Sequence, residues 1–198
     1  DETRIQSIYD QMMEEFAGRP YYISTKIDGT SVTMYRKNGK FGVCCHENEV
    51  KEDDTTKSFL WDIARELELE NRMIADNIAI QGELAGPKIR KNRLQLLKHQ
   101  WFVFTIKDLS TGHRLSLNQM LDIANDLGLT TVPIEETGEN LQDKYPTLDS
   151  LLERAKGYYQ SGQKKEGIVI RPKIPVESPT LSGALSFKVL NNDFLLKE

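Results

Sequence analysis

The sequence is poor in cysteine and histidine, has no long apolar run, and lacks a surplus of positive charge. It contains 2 cysteines and 3 histidines in 198 residues, and the two cysteines, Cys44 and Cys45, are adjacent. Adjacent cysteines are poorly placed to bond to each other, so they favour a reducing, cytoplasmic compartment over a disulfide framework. No apolar run approaches the roughly 20 residues that span a membrane, and the first residues lack the features of a signal peptide. We therefore expect a cytoplasmic protein without a membrane partner.

The net charge of −4 differs from that of most proteins that grip a long nucleic acid, which carry a basic surplus. The positive charge is instead local, in the stretch that contains Lys88, Arg90, Lys91, Arg93 and Lys98. Such a cluster is typical of a solvated loop or of a contact with phosphate groups. Composition alone leaves both interpretations open.

The length and the order of the expected elements indicate one domain, residues 1–198, and are compatible with its excision from a longer protein. Apolar residues at helical spacing predict helices over 1–16, 55–69, 116–127 and 147–159. Strands are predicted over 21–26, 31–36, 41–45, 78–84, 101–106, 167–171 and 185–190. Asn38-Gly39 predicts a tight hairpin, because both turn residues must adopt positive φ. This mixed order predicts an α+β fold with mostly antiparallel sheets and flanking helices.

The first motif with chemical potential is Lys26-Ile27-Asp28-Gly29, where a strand leads into the hairpin. A lysine amine can form a covalent bond to phosphorus only when it is neutral, which costs roughly 4 kcal/mol at neutral pH for an ordinary lysine. A neighbouring cation or metal lowers that cost. Gly29 lets the backbone turn tightly beside a bulky ligand. Taken alone, the tetrad is equally compatible with an exposed turn.

Four further motifs follow along the chain. Glu83 lies near the end of an apolar strand, Phe104 is in an aromatic strand, Glu166 opens the strand Gly167–Arg171, and Lys188 is inside the last strand. Each of these residues can also be explained structurally, as a charged side chain that faces solvent or as part of the hydrophobic core. Their common order and their positions at strand ends favour the functional interpretation.

This order of motifs resembles the covalent nucleotidyltransferase superfamily, which contains DNA ligases, RNA ligases and mRNA capping guanylyltransferases. Within it, the chain looks most like ATP-dependent RNA ligases of the RNA ligase 2-like group, on the phrases Gln81–Leu84 and Phe187–Asn191 and on the aromatic strand. The resemblance covers essentially the whole chain, from Asp1 to Lys197. It implies the ligase-type, ATP-grasp-like nucleotidyltransferase fold.

The resemblance also implies a role for each motif. Lys26 would attack the α-phosphate of ATP and carry AMP, which would pass to an RNA 5′-phosphate at a nick or a free end before a 3′-hydroxyl seals the strand. Asp28, Glu83 and Glu166 would gather around Mg²⁺ or Mn²⁺, partly through its waters. Lys188 would hold the α-phosphate. The remaining implied contacts are those of Gly29, Phe104, Ile168 and Ile170 with the nucleotide and those of His46, Arg90, Lys91 and Arg93 with RNA.

Two departures from the family pattern concern phosphate binding. His46 stands where the family usually has an arginine, and histidine lacks the planar fork that binds phosphate with two hydrogen bonds. Leu190 stands where the family has a second lysine. The alternatives are a DNA ligase or capping guanylyltransferase, a non-catalytic nucleotide- or RNA-binding module, and an unrelated α+β domain. We expect a monomer.

Overall fold

The computed structural model describes residues 2–46 and 48–196. Asp1, with which the first predicted helix begins, lies outside this part of the chain. The helices and strands, in chain order, are β1 (Thr3–Arg4), α1 (Tyr9–Phe16), β2 (Tyr21–Lys26), β3 (Thr30–Lys37), β4 (Lys40–Cys44), α2 (Ser58–Glu66), α3 (Leu69–Arg72), β5 (Ile78–Ala85), β6 (Gln100–Asp108), α4 (Leu117–Asp126), β7 (Thr130–Thr131), β8 (Ile134–Gly138), α5 (Leu141–Lys144), α6 (Leu148–Arg154), β9 (Gly167–Pro172), β10 (Glu177–Ser178), β11 (Gly183–Ala184), β12 (Phe187–Leu190) and α7 (Asn192–Leu195). A short 3₁₀ helix, Ile5–Ser7, lies between β1 and α1.

The chain divides into two compact units. The terminal unit consists of the chain up to Ile27 and from Val132 onwards, and the central unit is Asp28–Thr131. The boundary therefore falls inside the Lys26–Gly29 motif. Among the described residues, every helix is too short or too polar to cross a membrane.

The terminal unit is built on a sheet of five strands in the order β1-β12-β9-β2-β8. β1 runs parallel to β12, and the other neighbours are antiparallel. One face of this sheet forms the core, because Ile23, Ile168, Ile170, Phe187 and Val189 are fully buried. Helix α1 packs Met12, Met13 and Phe16 into the same cluster. The opposite face presents the polar side chains described below.

The central unit has its own five-stranded sheet, in the order β4-β3-β5-β6-β7, which is antiparallel except for β6 and β7. The predicted hairpin between β3 and β4 is confirmed, with Asn38 at φ 52° and Gly39 at φ 75°. The core face of this five-stranded sheet is lined by fully buried residues: Val32, Met34, Ile80, Leu84 and Val103. Helix α4 begins as predicted, because Ser116 and Gln119 form a capping box.

The α+β class with mostly antiparallel sheets is confirmed, but three predicted helices differ from those observed. The first gives way at its start to β1, because Thr3 and Arg4 pair with the last strand. The second is split into α2 and α3 at Glu68, whose φ is 53°. The fourth ends at Arg154 rather than Tyr159, since Gly157 takes a φ of 133°. The short strands β7, β8, β10 and β11 lack a clear sequence pattern and were not predicted.

Candidate active site

Lys26 and Glu166 form an ion pair in the terminal unit. Lys26 is the last residue of β2 and pairs in register with Gly167, the first residue of β9. Glu166 immediately precedes that strand, and its Oε1 lies 3.0 Å from Lys26 Nζ. The two side chains are 22% and 21% exposed, so solvent and ligands can reach the pair.

Lys188 lies on the same face of the sheet as Lys26. In the register, Ser24, Val169 and Lys188 stand side by side on β2, β9 and β12. Lys26 is two residues beyond Ser24 and therefore shares its face. Burial lowers the pKa of Lys188, and the positive charge of Lys26 lowers it further. The terminal unit thus places two amines on one face and a carboxylate in an ion pair with one of them, which suits binding and attack on a phosphate.

The backbone around Glu166 is fixed by Asn191, which follows the last strand, and by Gly167, the first residue of β9. Asn191 is buried, its side-chain amide donates to the Lys165 carbonyl at 2.9 Å, and its own N–H donates to the Glu166 carbonyl at 2.9 Å. Gly167 is required beside it, because a Cβ there would stand 2.2 Å from the Val189 carbonyl oxygen. Sequence reasoning missed Asn191 as a support, although it named the phrase that ends with this residue.

A second support, also missed, is the carboxylate of Glu135. It accepts hydrogen bonds from Lys165 Nζ at 2.7 Å and Thr25 Oγ1 at 2.8 Å, and Arg154 Nη1 lies 2.7 Å away. Burial raises the pKa of Glu135, but the hydrogen bonds from Lys165, Thr25 and Arg154 outweigh it, so the pKa is lowered. Glu135 therefore links the residues that directly precede Lys26 and Glu166.

The structure corrects the predicted nucleotide contact of Ile168 and Ile170. Both side chains are fully buried in the core of the terminal unit. They lie on the face of the sheet opposite Lys26, because alternate residues of a strand point to opposite faces. Val169, between them, shares the face of Lys26 and is partly exposed. Val169 is therefore the aliphatic residue of β9 that fits a contact with a base.

In the central unit, Asp28 and Gly29 pack against two parts of the chain. Asp28 Oδ2 lies 3.4 Å from Arg93 Nε, and both side chains are largely buried, at 15% and 16% exposed. A Cβ at Gly29 would stand 2.3 Å from the Leu84 carbonyl oxygen and 3.0 Å from Glu83 Cγ. Glycine at this position therefore brings the Asp28–Gly29 backbone directly against Glu83.

Glu83 belongs to a polar face of the central sheet. It pairs in register with Ser31, and Gln81 pairs with Thr33, so these four side chains share one face. All four are partly exposed, and Gln81 Nε2 donates to Ser31 Oγ at 3.2 Å.

Phe104 lies at an irregularity of the same sheet. Gln81 pairs with Thr105 and Gly82 with Val103, so Phe104 is the extra residue of a β-bulge. Its side chain is partly exposed, unlike its buried neighbours in β6. Bulges change the direction of a side chain and occur next to active sites. The predicted stacking of Phe104 on a base stays a prediction.

Most of the basic stretch faces solvent, because Lys88, Arg90, Lys91 and Lys98 are exposed, whereas Arg93 is largely buried. Arg93 contacts Asp28, and Arg90 Nε donates to the Gly29 carbonyl at 3.2 Å. Lys98 pairs with Glu66 at 2.8 Å. Lys91 is exposed, as is His46, which follows the end of β4. Both arginines therefore contact the Asp28–Gly29 turn, but Arg90 is also exposed, so the expectation of RNA contact rests on Arg90, Lys91 and His46.

The binding of Mg²⁺ or Mn²⁺ by Asp28, Glu83 and Glu166 stays a prediction. Among the described residues, no group of three or more His, Cys, Asp or Glu side chains is arranged to hold a metal directly. Mg²⁺ keeps several of its waters and is bound by one or two carboxylates together with phosphate oxygens. Asp28, Glu83 and Glu166 supply oxygen ligands of this kind, each partly exposed.

The chain is similar to several solved structures of an RNA ligase from Naegleria gruberi. The structure with PPi is 27% identical with a TM-score of 0.84, and the match covers 98% of this chain and 56% of that chain. A lysine-to-alanine mutant with ATP and Mn gives 27% identity, a TM-score of 0.85, and coverage of 100% and 57%. The apo R4a mutant gives 29% identity, a TM-score of 0.83, and coverage of 100% and 57%.

The chain thus spans just over half the length of these ligase chains. A comparison with curated proteins gave no significant match. The family described as RNA ligase matches residues 19–190, which include Lys26, Asp28, Glu83, Glu166 and Lys188. The chain therefore belongs to the RNA ligase family.

Proposed function

We propose that this chain is the nucleotidyltransferase domain of an ATP-dependent RNA ligase, and that Lys26 is the residue that becomes covalently adenylated. The observation that carries the proposal is that Lys26 and Lys188 share one sheet face and that Lys26 pairs with Glu166, in a member of the RNA ligase family. The Naegleria gruberi relatives were solved with ATP and Mn and with AMP and Mn, which supports the same ligands here.

In the first step, the neutral amine of Lys26 attacks the α-phosphorus of ATP. The N–P bond forms while the bond to the β-phosphate oxygen breaks, and pyrophosphate leaves with the electron pair. Glu166 Oε1, at 3.0 Å, is the acceptor within reach of the proton that the amine loses. Lys188 lies on the same face and stabilises the charge that develops on the phosphate.

In the second step, an oxygen of an RNA 5′-phosphate attacks the AMP phosphorus, the N–P bond breaks, and Lys26 regains its proton. In the third, an RNA 3′-hydroxyl attacks the 5′-phosphorus, loses its proton, and displaces AMP to form the phosphodiester bond. We assign the RNA contacts to the exposed side chains of His46, Arg90 and Lys91, since Arg93 is largely buried against Asp28.

A divalent cation would neutralise phosphate charge in this chemistry. We assign its waters to Glu166 in the terminal unit and to Asp28 and Glu83 in the central unit. Phe104 and Val169 are the candidates for contact with adenine, and Gly29 keeps the backbone beside Glu83 free of a side chain. We further propose that the protein acts as a monomer in the cytoplasm.

The test is to incubate the purified chain with Mg²⁺ and each of ATP, GTP, CTP and UTP in turn and to record its intact mass. We expect the mass of AMP to be gained with ATP alone. A gain with GTP would favour a guanylyltransferase, and no gain with any nucleotide would contradict self-nucleotidylation. Nicked duplex RNA, nicked DNA and single-stranded RNA ends, offered to the adenylated chain, then identify the strand that is sealed.

A further inference from the structure

The hydroxyl group of Tyr159 bridges the backbones of Lys26 and Glu166. It donates a hydrogen bond to the Lys26 carbonyl oxygen at 2.7 Å and accepts one from the Glu166 N–H at 3.1 Å. Tyr159 is 7% exposed, so its ring is held in place by packing. One oxygen atom thus contacts both members of the ion pair through their main chains.

This bridge lies where the regular strand pairing stops. The ladder between β2 and β9 ends with the pair Lys26 and Gly167, so Glu166 lies beyond the paired residues. Without a further support, the end of a ladder is free to fray. Tyr159 supplies a support across this position, and Glu135 supplies a parallel one between Thr25 and Lys165.

The segment that follows α6 forms a hairpin that brings Tyr159 to the end of the β2–β9 ladder. Helix α6 ends at Arg154, and the chain then forms a tight hairpin in which Tyr158 bridges to Lys164. The Tyr159 N–H donates to the Gln163 carbonyl at 2.8 Å, and the Gly162 N–H donates back to the Tyr159 carbonyl at 2.9 Å. The hairpin therefore fixes the backbone from which the tyrosine ring extends.

We infer that Tyr159 is a positioning residue that sets the distance between the Lys26 amine and the Glu166 carboxylate. Its hydroxyl hydrogen-bonds main-chain atoms of Lys26 and Glu166, so we expect its loss to change the rate of the chemical step more than the affinity for the nucleotide. The inference rests on the proposed function. A displacement of about 1 Å at a reacting group can cost up to about 100-fold in rate, which gives the scale of the effect.

The experiment compares Tyr159→Phe with Tyr145→Phe as a matched control. Tyr145 lies in the same unit, is also 7% exposed, and donates its hydroxyl to Glu136 Oε2 at 2.9 Å, a carboxylate that does not contact Lys26 or Glu166. Each variant loses one oxygen atom and one buried hydrogen-bonding group, so similar costs in stability are expected. Single-turnover rates of adenylation are measured over a range of ATP concentrations, well below each melting temperature.

We expect Tyr159→Phe to lower the maximal rate by about 10- to 100-fold, with a half-saturating ATP concentration within about threefold of wild type. Tyr145→Phe should retain the wild-type rate. Equal rates for Tyr159→Phe and wild type would overturn the inference, as would equal losses in both variants or a Tyr159→Phe chain that does not fold. A wild-type chain that does not label would instead refute the proposed function, and the inference would fall with it.

Discussion

The terminal and central units present their functional side chains in different ways. The terminal unit places Lys26, Glu166 and Lys188 on or beside three adjacent strands, where buried hydrogen bonds from Asn191 and Tyr159 fix the backbone. The central unit places its groups by close approach of the backbone at Gly29, by the bulge at Phe104 and by a basic loop that returns to Asp28 and Gly29.

This difference indicates separate demands on the two units. Under the proposed function, Lys26 and its proton acceptor Glu166 need a fixed mutual geometry, which neighbouring strands provide. Groups that hold a cation through its waters tolerate more variation, because the waters adjust. Substitutions in the terminal unit should therefore affect the chemical step most, and those in the central unit less.

Among substitutions in the two units, we expect Glu166→Gln to lower the rate of adenylation most. The substitution keeps the shape of the side chain but removes its charge and the proton acceptor beside Lys26. We expect the single-turnover rate of adenylation to fall by about 100-fold or more, with little change in melting temperature, since the side chain is partly exposed.

A suitable control is Glu153→Gln, which removes an exposed ion pair with Lys156 in the same unit. Such pairs contribute little to stability, so both rate and melting temperature should stay at wild-type values. If Glu166→Gln adenylates as fast as wild type or faster, the carboxylate only stabilises the Lys26 ammonium, and its assigned role in the chemical step is wrong.

A smaller effect is expected in the central unit from Arg93→Met. Loss of the guanidinium removes one partner that positions Asp28, and we expect adenylation to slow by about tenfold while RNA affinity changes little. Lys91→Met, two residues away at an exposed position, should leave adenylation unchanged but weaken RNA binding and flatten its salt dependence. If the two variants behave identically in both assays, Arg93 and Lys91 do not have separate roles, and the stretch acts as a single basic patch.

The smallest effect concerns the acid stability of the terminal unit. Because hydrogen bonds lower the pKa of Glu135 below its ordinary value of 4.5, its contribution to stability is present above that pH and is lost as the pH falls through the lowered pKa. The melting temperature of wild type should exceed that of Glu135→Gln at pH 7, by about 2–4 °C for each kcal/mol lost.

The two melting temperatures should converge below pH 4.5, because a protonated glutamate resembles glutamine. Glu139→Gln is the control, since Glu139 is 82% exposed and lies 4.0 Å from Lys173. A gap between wild type and Glu135→Gln that stays constant down to acid pH would show that the charge of Glu135 does not stabilise the unit.

Strands bounded by strong signals could be predicted from the sequence. The strand Tyr21–Lys26 was predicted with the observed limits, because Pro20 precedes it and Asp28-Gly29 follows it. The end of α6 could not be predicted from the sequence, since a helical pattern of apolar residues continues to Tyr159. The tertiary contacts of the Tyr159 hydroxyl and the φ of Gly157 stabilise a hairpin there instead.

The residue types of the site could be predicted, but the sheet face on which each side chain lies and the partner that each side chain contacts could not. Residues 168–170 are all apolar, so the sequence cannot indicate which face of β9 is core, and the two isoleucines were assigned to the wrong one. A charge cluster likewise does not reveal that Arg93 has a carboxylate partner 65 positions earlier in the chain, Asp28. Contacts between distant segments decided both cases.

The central claim is tested most directly by mapping the AMP adduct. The wild-type chain is incubated with ATP and Mg²⁺ and digested, and the modified peptide is sequenced by mass spectrometry, with Lys26→Ala and Lys188→Ala treated in parallel. We expect one AMP group on the peptide that contains Lys26, none on the Lys26→Ala chain, and slower labelling of Lys26 in the Lys188→Ala chain. AMP on Lys188, or undiminished labelling of Lys26→Ala, would contradict the central claim.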